Sequence, residues 1–271
     1  MAVVGGGPVG SRIASRLAEM GCRVVVAEQK ESLGEPVCCT GIISQECASY
    51  FAIDESVIFR RANSAKVFSP SDKLISLWRQ EPQACIVDRA AFNVALARCA
   101  QSRGVEYVLG YPVESIEIGN DRVSVTSNLR GGAKSFEARA VVIATGFAPK
   151  LVEELGLGKV GDFVMGVQAE VETTGVDEVE VYLGQKIAPA FFAWLVPTSS
   201  QRALVGLLSR RSPGFYLRRL MSSLLAQGKI ASTEVELRYG GVPLKPLTRT
   251  YSDRVMVVGS AAGQVKPTTG G

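Results

Sequence analysis

The N-terminal stretch constrains the fold more than any other part of the chain. Ala2-Val3-Val4 is a short apolar strand that runs straight into Gly5-Gly6-Gly7-Pro8-Val9-Gly10, placing Gly5, Gly7 and Gly10 at G-x-G-x-x-G spacing. Ile13, Ala14, Leu17 and Ala18 continue at helical spacing, and Val24-Val25-Val26 reads as a second strand that ends at Glu28. Each part has a task in a nucleotide-binding βαβ unit. Gly5 permits a tight turn, Gly7 lets backbone approach a pyrophosphate, and Gly10 lets the helix pack on the strand. The helix opens at Pro8 and Val9, and its N-terminus offers unpaired N–H groups and about half a positive charge to that pyrophosphate. Glu28, followed by Gln29, sits where a carboxylate would accept hydrogen bonds from a ribose diol. An ordinary glycine-rich turn would leave Glu28 unexplained.

Composition narrows the classes. With 271 residues, 46% of them hydrophobic, the chain can bury a large core. Its net charge of +4 is dispersed, without the basic stripe or interleaved aromatics of a nucleic-acid reader. No apolar run reaches the ~18 residues of a membrane span, and the apolar start lacks the basic segment of a signal peptide. The six cysteines show no paired metal spacing, which fits a reduced, cytoplasmic compartment and no metal site. Histidine is absent, which excludes histidine triads, imidazole metal sites and a histidine general base.

The pattern alternates strands and helices early and then becomes strand-rich. Val87 to Gly104 reads as a helix capped by Asp88, followed by a strand at 105–109. Residues 113–118 and 122–127 read as a hairpin around Gly119-Asn120-Asp121. Ala140 to Ala144 is a continuous apolar run, as in a strand buried on both faces, and ends in Thr145-Gly146. Residues 163–183 and 203–208 suggest a separate antiparallel sheet. Pro213 to Gly228 is an amphipathic helix that covers a sheet or, alternatively, faces a membrane. Arg254 to Gly259 returns to the buried-strand style. This predicts an α/β protein with a discontinuous nucleotide domain, 1–64, 85–155 and 250–271, interleaved with a second domain, 65–84 and 156–249.

Four separated motifs, VVGGGPVGS at 3–11, VDRAAFNVAL at 87–96, VVIATG at 141–146 and VVGSAAGQVKPTTGG at 257–271, stand in the order found in flavoproteins of the p-hydroxybenzoate hydroxylase type. Within that group the chain resembles the geranylgeranyl reductase family, including the archaeal digeranylgeranylglycerophospholipid reductases. EPVCCTGIIS at 35–44 is similar to the family's cysteine-glycine loop beside the flavin, and PAFFAWLVP at 189–197 to its substrate-cavity motif. The resemblance implies a Rossmann-like FAD-binding domain interleaved with an antiparallel-sheet substrate domain. It implies FAD contacts from Thr40 and Gly41, Arg89, Val113, Ala144 to Gly146, Gly259, Ser260, Pro267, Thr269 and Gly270. Ser260 stands where the family usually has aspartate. From the residues alone, Arg89 also reads as a solvated helix-end arginine and Thr145-Gly146 as the end of a core strand.

By the same resemblance Cys39, with Cys38 second, faces flavin and substrate. The bare residues read equally as two small loop positions. Cys22, Cys47, Cys85 and Cys99 read as packing residues. Phe192, Trp194 and Val196 share one face of a strand, with Pro197 after them, and line either core or a lipid pocket. The implied activity is saturation of C=C bonds in a prenyl lipid or prenyl diphosphate, by hydride transfer from FADH2, with NADPH or ferredoxin as electron donor. A membrane-associated protein without a span fits that substrate. Two other readings stay open: an FAD-dependent aromatic monooxygenase, and a non-catalytic flavin or lipid binder. In the family the chain continues past Thr269-Gly270-Gly271 into a helix aimed at the flavin, so the resemblance predicts further C-terminal sequence.

Overall fold

The computed structural model of the protein describes residues 1–34, 38–51, 53–71, 73–129 and 132–267. Its first sheet has six strands in the order Tyr251–Ser252, Val255–Val257, Val141–Ile143, Ala2–Val4, Val25–Ala27 and Glu106–Val108. All neighbours run parallel except the first pair, which is a hairpin. The strands Ala2–Val4 and Val141–Ile143 are buried along their whole length, as their unbroken apolar runs require. Helix Pro8–Glu19 follows the glycine loop, with proline in its first turn where a missing N–H costs nothing. Helix Arg89–Gln101 packs against it. Asp88 caps that second helix by accepting from the Ala90 and Ala91 N–H groups, each at 2.9 Å. The helix begins two residues later than its sequence pattern suggests. Val87 belongs instead to strand Ala84–Val87, paired with Ile42–Ser44 and Ile58–Ala62 in a small antiparallel sheet.

The second large sheet has seven strands in the order Arg238–Pro243, Phe163–Glu172, Arg202–Ser209, Phe192–Pro197, Val179–Leu183, Ser64–Phe68 and Leu74–Trp78. Only the junction between Val179–Leu183 and Ser64–Phe68 is parallel. The stretch 163–183, continuous in its pattern, is two strands separated by an irregular segment. Helix Pro213–Ala226 lies on this sheet. It buries Leu217, Met221 and Leu224 completely, together with Leu220, against Val167, Ala169, Leu195, Val205 and Leu207. Four such side chains contribute about 1.5–3 kcal/mol each, so the helix covers the sheet and its apolar stripe is not a membrane face. The hairpin at 115–129 gains a third strand, Gly132–Ala138, that the sequence pattern does not announce. No helix among the described residues is long and apolar enough to cross a membrane.

Candidate functional site

A cavity of about 550 Å³ opens at the C-terminal ends of the parallel strands, where open α/β sheets bind their ligands. Gly5 adopts φ +103°, and a side chain there would stand 2.4 Å from the Ala144 carbonyl oxygen. A Cβ on Gly10 would fall 1.9 Å from the Gly5 carbonyl oxygen, so Gly10 sets the contact between helix and loop. Gly7 is different. Its missing Cβ faces open space in the cavity wall, so backbone is free to meet a ligand. Gly7 is also the N-cap of helix Pro8–Glu19, which no side chain caps. The first-turn N–H groups are therefore available to an anion.

Glu28 is buried at the end of strand Val25–Ala27 and lines the same cavity. Its Oε2 accepts from the Gly6 N–H at 2.6 Å and its Oε1 from the Lys30 N–H at 3.0 Å. The carboxylate thus pins the glycine loop and keeps a lone pair on each oxygen for hydroxyl donors. Sequence spacing places the acid correctly but misses this second role. Thr145 carries a buried Oγ1 in the cavity wall without a partner. An orphaned hydroxyl, an uncapped helix and an open glycine fit a dinucleotide with one ribose at Glu28 and a pyrophosphate at Gly7.

Of the residues expected to hold the cofactor, Gly5, Gly7, Pro8, Val9, Glu28, Gln29, Arg89, Val113, Ala144, Thr145, Gly146, Gly259 and Ser260 all line this cavity. Arg89 donates to Asn93 Oδ1 and stacks its guanidinium over Phe92 at 5.4 Å, so it is a held side chain rather than a loose helix end. Asn93, one helical turn after Arg89 in the same motif, lines the cavity too, as do Tyr111 and Glu114, which had no signal in the sequence. Gly10, Thr40, Gly41 and Pro267 lie outside its wall. Thr269 and Gly270 lie outside the described residues. A second depression, around Met1, Arg23, Arg139 and Arg254, lies at the opposite end of the same strands.

Thr40 and Gly41 link the small antiparallel sheet to the seven-stranded one. Gly41, at φ +73°, turns tightly against the Val87 carbonyl oxygen. Thr40 Oγ1 hydrogen-bonds to Oε1 of the buried Gln168 at 2.8 Å. Cys38 Sγ donates to the Arg238 carbonyl at 3.3 Å, and its Cβ approaches the bare Cα of Gly240. Phe147, from the loop after strand Val141–Ile143, packs on Gly241 and Phe163. Since successive strand residues face opposite ways, the edge strand Arg238–Pro243 is gripped on both faces. Burial pushes the Cys38 thiol up to about 11, with the neighbouring Cys39 adding to the shift. Cys39 is exposed. Among the remaining cysteines Cys85 is buried, Cys22 and Cys47 are half-buried, and Cys99 is exposed, so Cys99 is not the packing residue its helical setting suggests.

Phe192, Trp194 and Val196 do alternate onto one face of strand Phe192–Pro197, with Phe192 and Trp194 rings 5.9 Å apart. Val196 and Pro197 are buried. The Trp194 ring lies over Gly206, where a Cβ would come within 2.5 Å of it. Its Nε1 is buried without a partner. Cross-strand pairing puts Trp194, Gly206, Gln168 and Arg238 in one row, so the indole shares its face of the sheet with the residue that Thr40 touches.

Known proteins place this architecture. The model of the family described as lycopene cyclase protein matches residues 1–271. The digeranylgeranylglycerophospholipid reductase of Methanocaldococcus jannaschii is 30% identical over 282 residues, which span 99% of this chain and 71% of that protein. The crystal structure of a geranylgeranyl bacteriochlorophyll reductase-like protein from Thermoplasma acidophilum superposes with a TM-score of 0.88 at 26% identity, covering all of this chain and 72% of the other. The flavin-dependent halogenase CmlS, at 18% identity and a TM-score of 0.72, shares the fold, over 96% of this chain and 52% of its own. The chain is matched by the lycopene cyclase family model along its full length and belongs to the geranylgeranyl reductase family of FAD-dependent oxidoreductases of the p-hydroxybenzoate hydroxylase type.

Proposed function

We propose that this chain is an FAD-dependent reductase that saturates C=C bonds of geranylgeranyl or longer prenyl chains, carried on a lipid or a diphosphate. The observation that carries the reading is the loop Cys38–Gly41, which ends against Val87 of the small sheet, two residues before the cavity-lining Arg89, and touches Gln168 and Arg238 on the sheet that bears Trp194. That loop is where a cofactor and an apolar substrate would meet. In this reading residues 1–64, 85–155 and 250–271 form the FAD domain, and 65–84 and 156–249 the substrate domain.

When bound and reduced, the flavin supplies the hydride for one alkene carbon. The chain's residues do the rest. Glu28 orients the ribose, and the uncapped helix at Gly7 and the Thr145 hydroxyl hold the phosphate and ribityl region. Gly259, packed against Val9, and Ser260 line the same cavity beside that helix start. Phe192 and Trp194 exclude water and align the prenyl chain. The second alkene carbon needs a proton, and without histidine the chain can offer a thiol, a phenol or ordered water. Cys38 is held on the substrate sheet by its hydrogen bond to the Arg238 carbonyl, whereas Cys39 is exposed, so in this reading position favours Cys38 as the thiol that hands on the proton. NADPH or ferredoxin would return electrons to the flavin.

Product mass tests this. Incubation with reductant, FAD and a geranylgeranyl lipid should give products heavier by one hydrogen pair per reduced bond. A hydroxylated product made only with oxygen would support the monooxygenase chemistry of the same fold instead.

A further inference from the structure

The strand Leu74–Trp78 closes the seven-stranded sheet and, among the described residues, pairs only with Ser64–Phe68. Its sequence is Leu-Ile-Ser-Leu-Trp between Lys73 and Arg79, and it exposes nearly everything it has. Leu74 is 51% exposed, Ile75 55%, Leu77 53% and Trp78 65%. Leu74, Ser76 and Trp78 point to one face and Ile75 and Leu77 to the other, so both faces and the free edge are bare. A long apolar edge normally invites aggregation and is blunted by charge or cover.

A globular partner laid on a sheet covers one face. A blade that is apolar on both faces and along its edge matches a medium that surrounds it. The flanks point the same way, because tryptophan and basic residues prefer the headgroup level of a bilayer while aliphatic side chains sit below it. Asp72 and Glu81 balance Lys73 and Arg79, so the attraction is chiefly apolar, with anionic lipid adding to it through the two cations nearest the blade. The free backbone edge stays hydrated at that shallow depth.

The blade is also continuous with the substrate wall. Ile75 pairs with Val67, Val67 with Val181, and Val181 with Trp194. Paired residues share a face, so one apolar row runs from the edge to the indole across three strand spacings, about 14 Å. We propose that Leu74–Trp78 is a lipid-docking edge, seated in the interface of a bilayer whose prenyl chains reach Trp194 along the Val67–Val181 row. This rests on the prenyl-reductase reading.

The chain contains only two tryptophans, Trp78 and Trp194. In a Trp194→Phe background Trp78 is therefore the sole reporter. Phosphatidylglycerol vesicles should shift its emission to the blue, and bromine-labelled acyl chains should quench it. Phosphatidylcholine vesicles should do the same at higher lipid concentration. In the otherwise native chain, Leu74→Glu with Leu77→Glu should weaken partitioning about tenfold or more, with unchanged reduction of a water-soluble prenyl diphosphate. Arg79→Glu, which leaves the apolar blade intact, should lower binding to phosphatidylglycerol and spare phosphatidylcholine. Unshifted emission with both vesicles, or equal partitioning of native chain and double variant, overturns the proposal. So does a native dimer that the double variant dissociates, because a second copy would then be the cover. The emission, quenching and partitioning readouts need neither flavin nor turnover. A chain that docks but reduces nothing contradicts the functional reading alone, and one that reduces prenyl chains without docking contradicts the docking alone.

Discussion

In the proposed reading a ligand meets backbone at the glycine loop, whereas on the Trp194 face it meets side chains. The parallel sheet presents Gly5, Gly7 and an uncapped helix, and its specificity comes from a carboxylate, a hydroxyl and N–H groups in a fixed frame. The antiparallel sheet presents a ring laid over a glycine, in a row assembled from strands far apart in sequence. The first region tolerates little change because its contacts are backbone to backbone. The second can alter its ligand by exchanging a few side chains, which suits one fold that houses reductases and halogenases alike.

Gly10→Ala should produce the largest effect. Its Cβ would meet the Gly5 carbonyl at 1.9 Å, and neither group is a movable side-chain end, so stability should fall by about 3 kcal/mol with FAD binding lost alongside. Thermal unfolding and flavin titration read both. A fully stable Gly10→Ala protein would break the contrast between a rigid and an adaptable region.

Glu28→Ala should weaken FAD by about 1–3 kcal/mol, since it removes a charged acceptor and frees the Gly6 N–H. Calorimetry against FAD and FMN sharpens this, because only the dinucleotide should respond to the substitution. Gly206→Ala should then act on the other sheet. It would lift the Trp194 ring at a cost of about 1–3 kcal/mol, slow prenyl turnover and leave FAD affinity unchanged. Equal losses of flavin and turnover would show that the two regions are not separable.

The smallest effect concerns Cys38. The folded thiol titrates near 11, against an ordinary 9.0. The folded state therefore keeps a proton that the unfolded chain loses. This contribution is complete below pH 9 and disappears as pH rises to 11. Cys38→Ser should flatten that decline by about 1 kcal/mol after allowance for solvent screening. Denaturant titrations across the window measure it, and Cys39→Ser should reduce the slope by less than Cys38→Ser does, because burial is the larger cause of the shift.

The same contrast explains what could be read in advance. Gly5, Gly7, Gly10 and Glu28 encode local geometry, and Asp88 caps the helix directly after it, so their places follow from spacing alone. Tyr111 and Phe147 reach the cavity or the sheet contact through packing between distant elements, which leaves no periodic trace. Strand Leu74–Trp78 escapes notice for a related reason. Its five residues alternate apolar side chains onto both faces, and only the finished sheet shows that neither face is covered. The preference for Cys38 over Cys39 likewise required the Arg238 strand to be in place.

The most direct test of the central claim is anaerobic reoxidation of the flavin-loaded protein. After chemical reduction, mixing with a geranylgeranyl lipid in the absence of oxygen should restore the oxidised flavin spectrum, with one alkene saturated per flavin and slower return in Trp194→Ala. Flavin that stays reduced until oxygen is admitted, with the lipid recovered unchanged, would contradict the account.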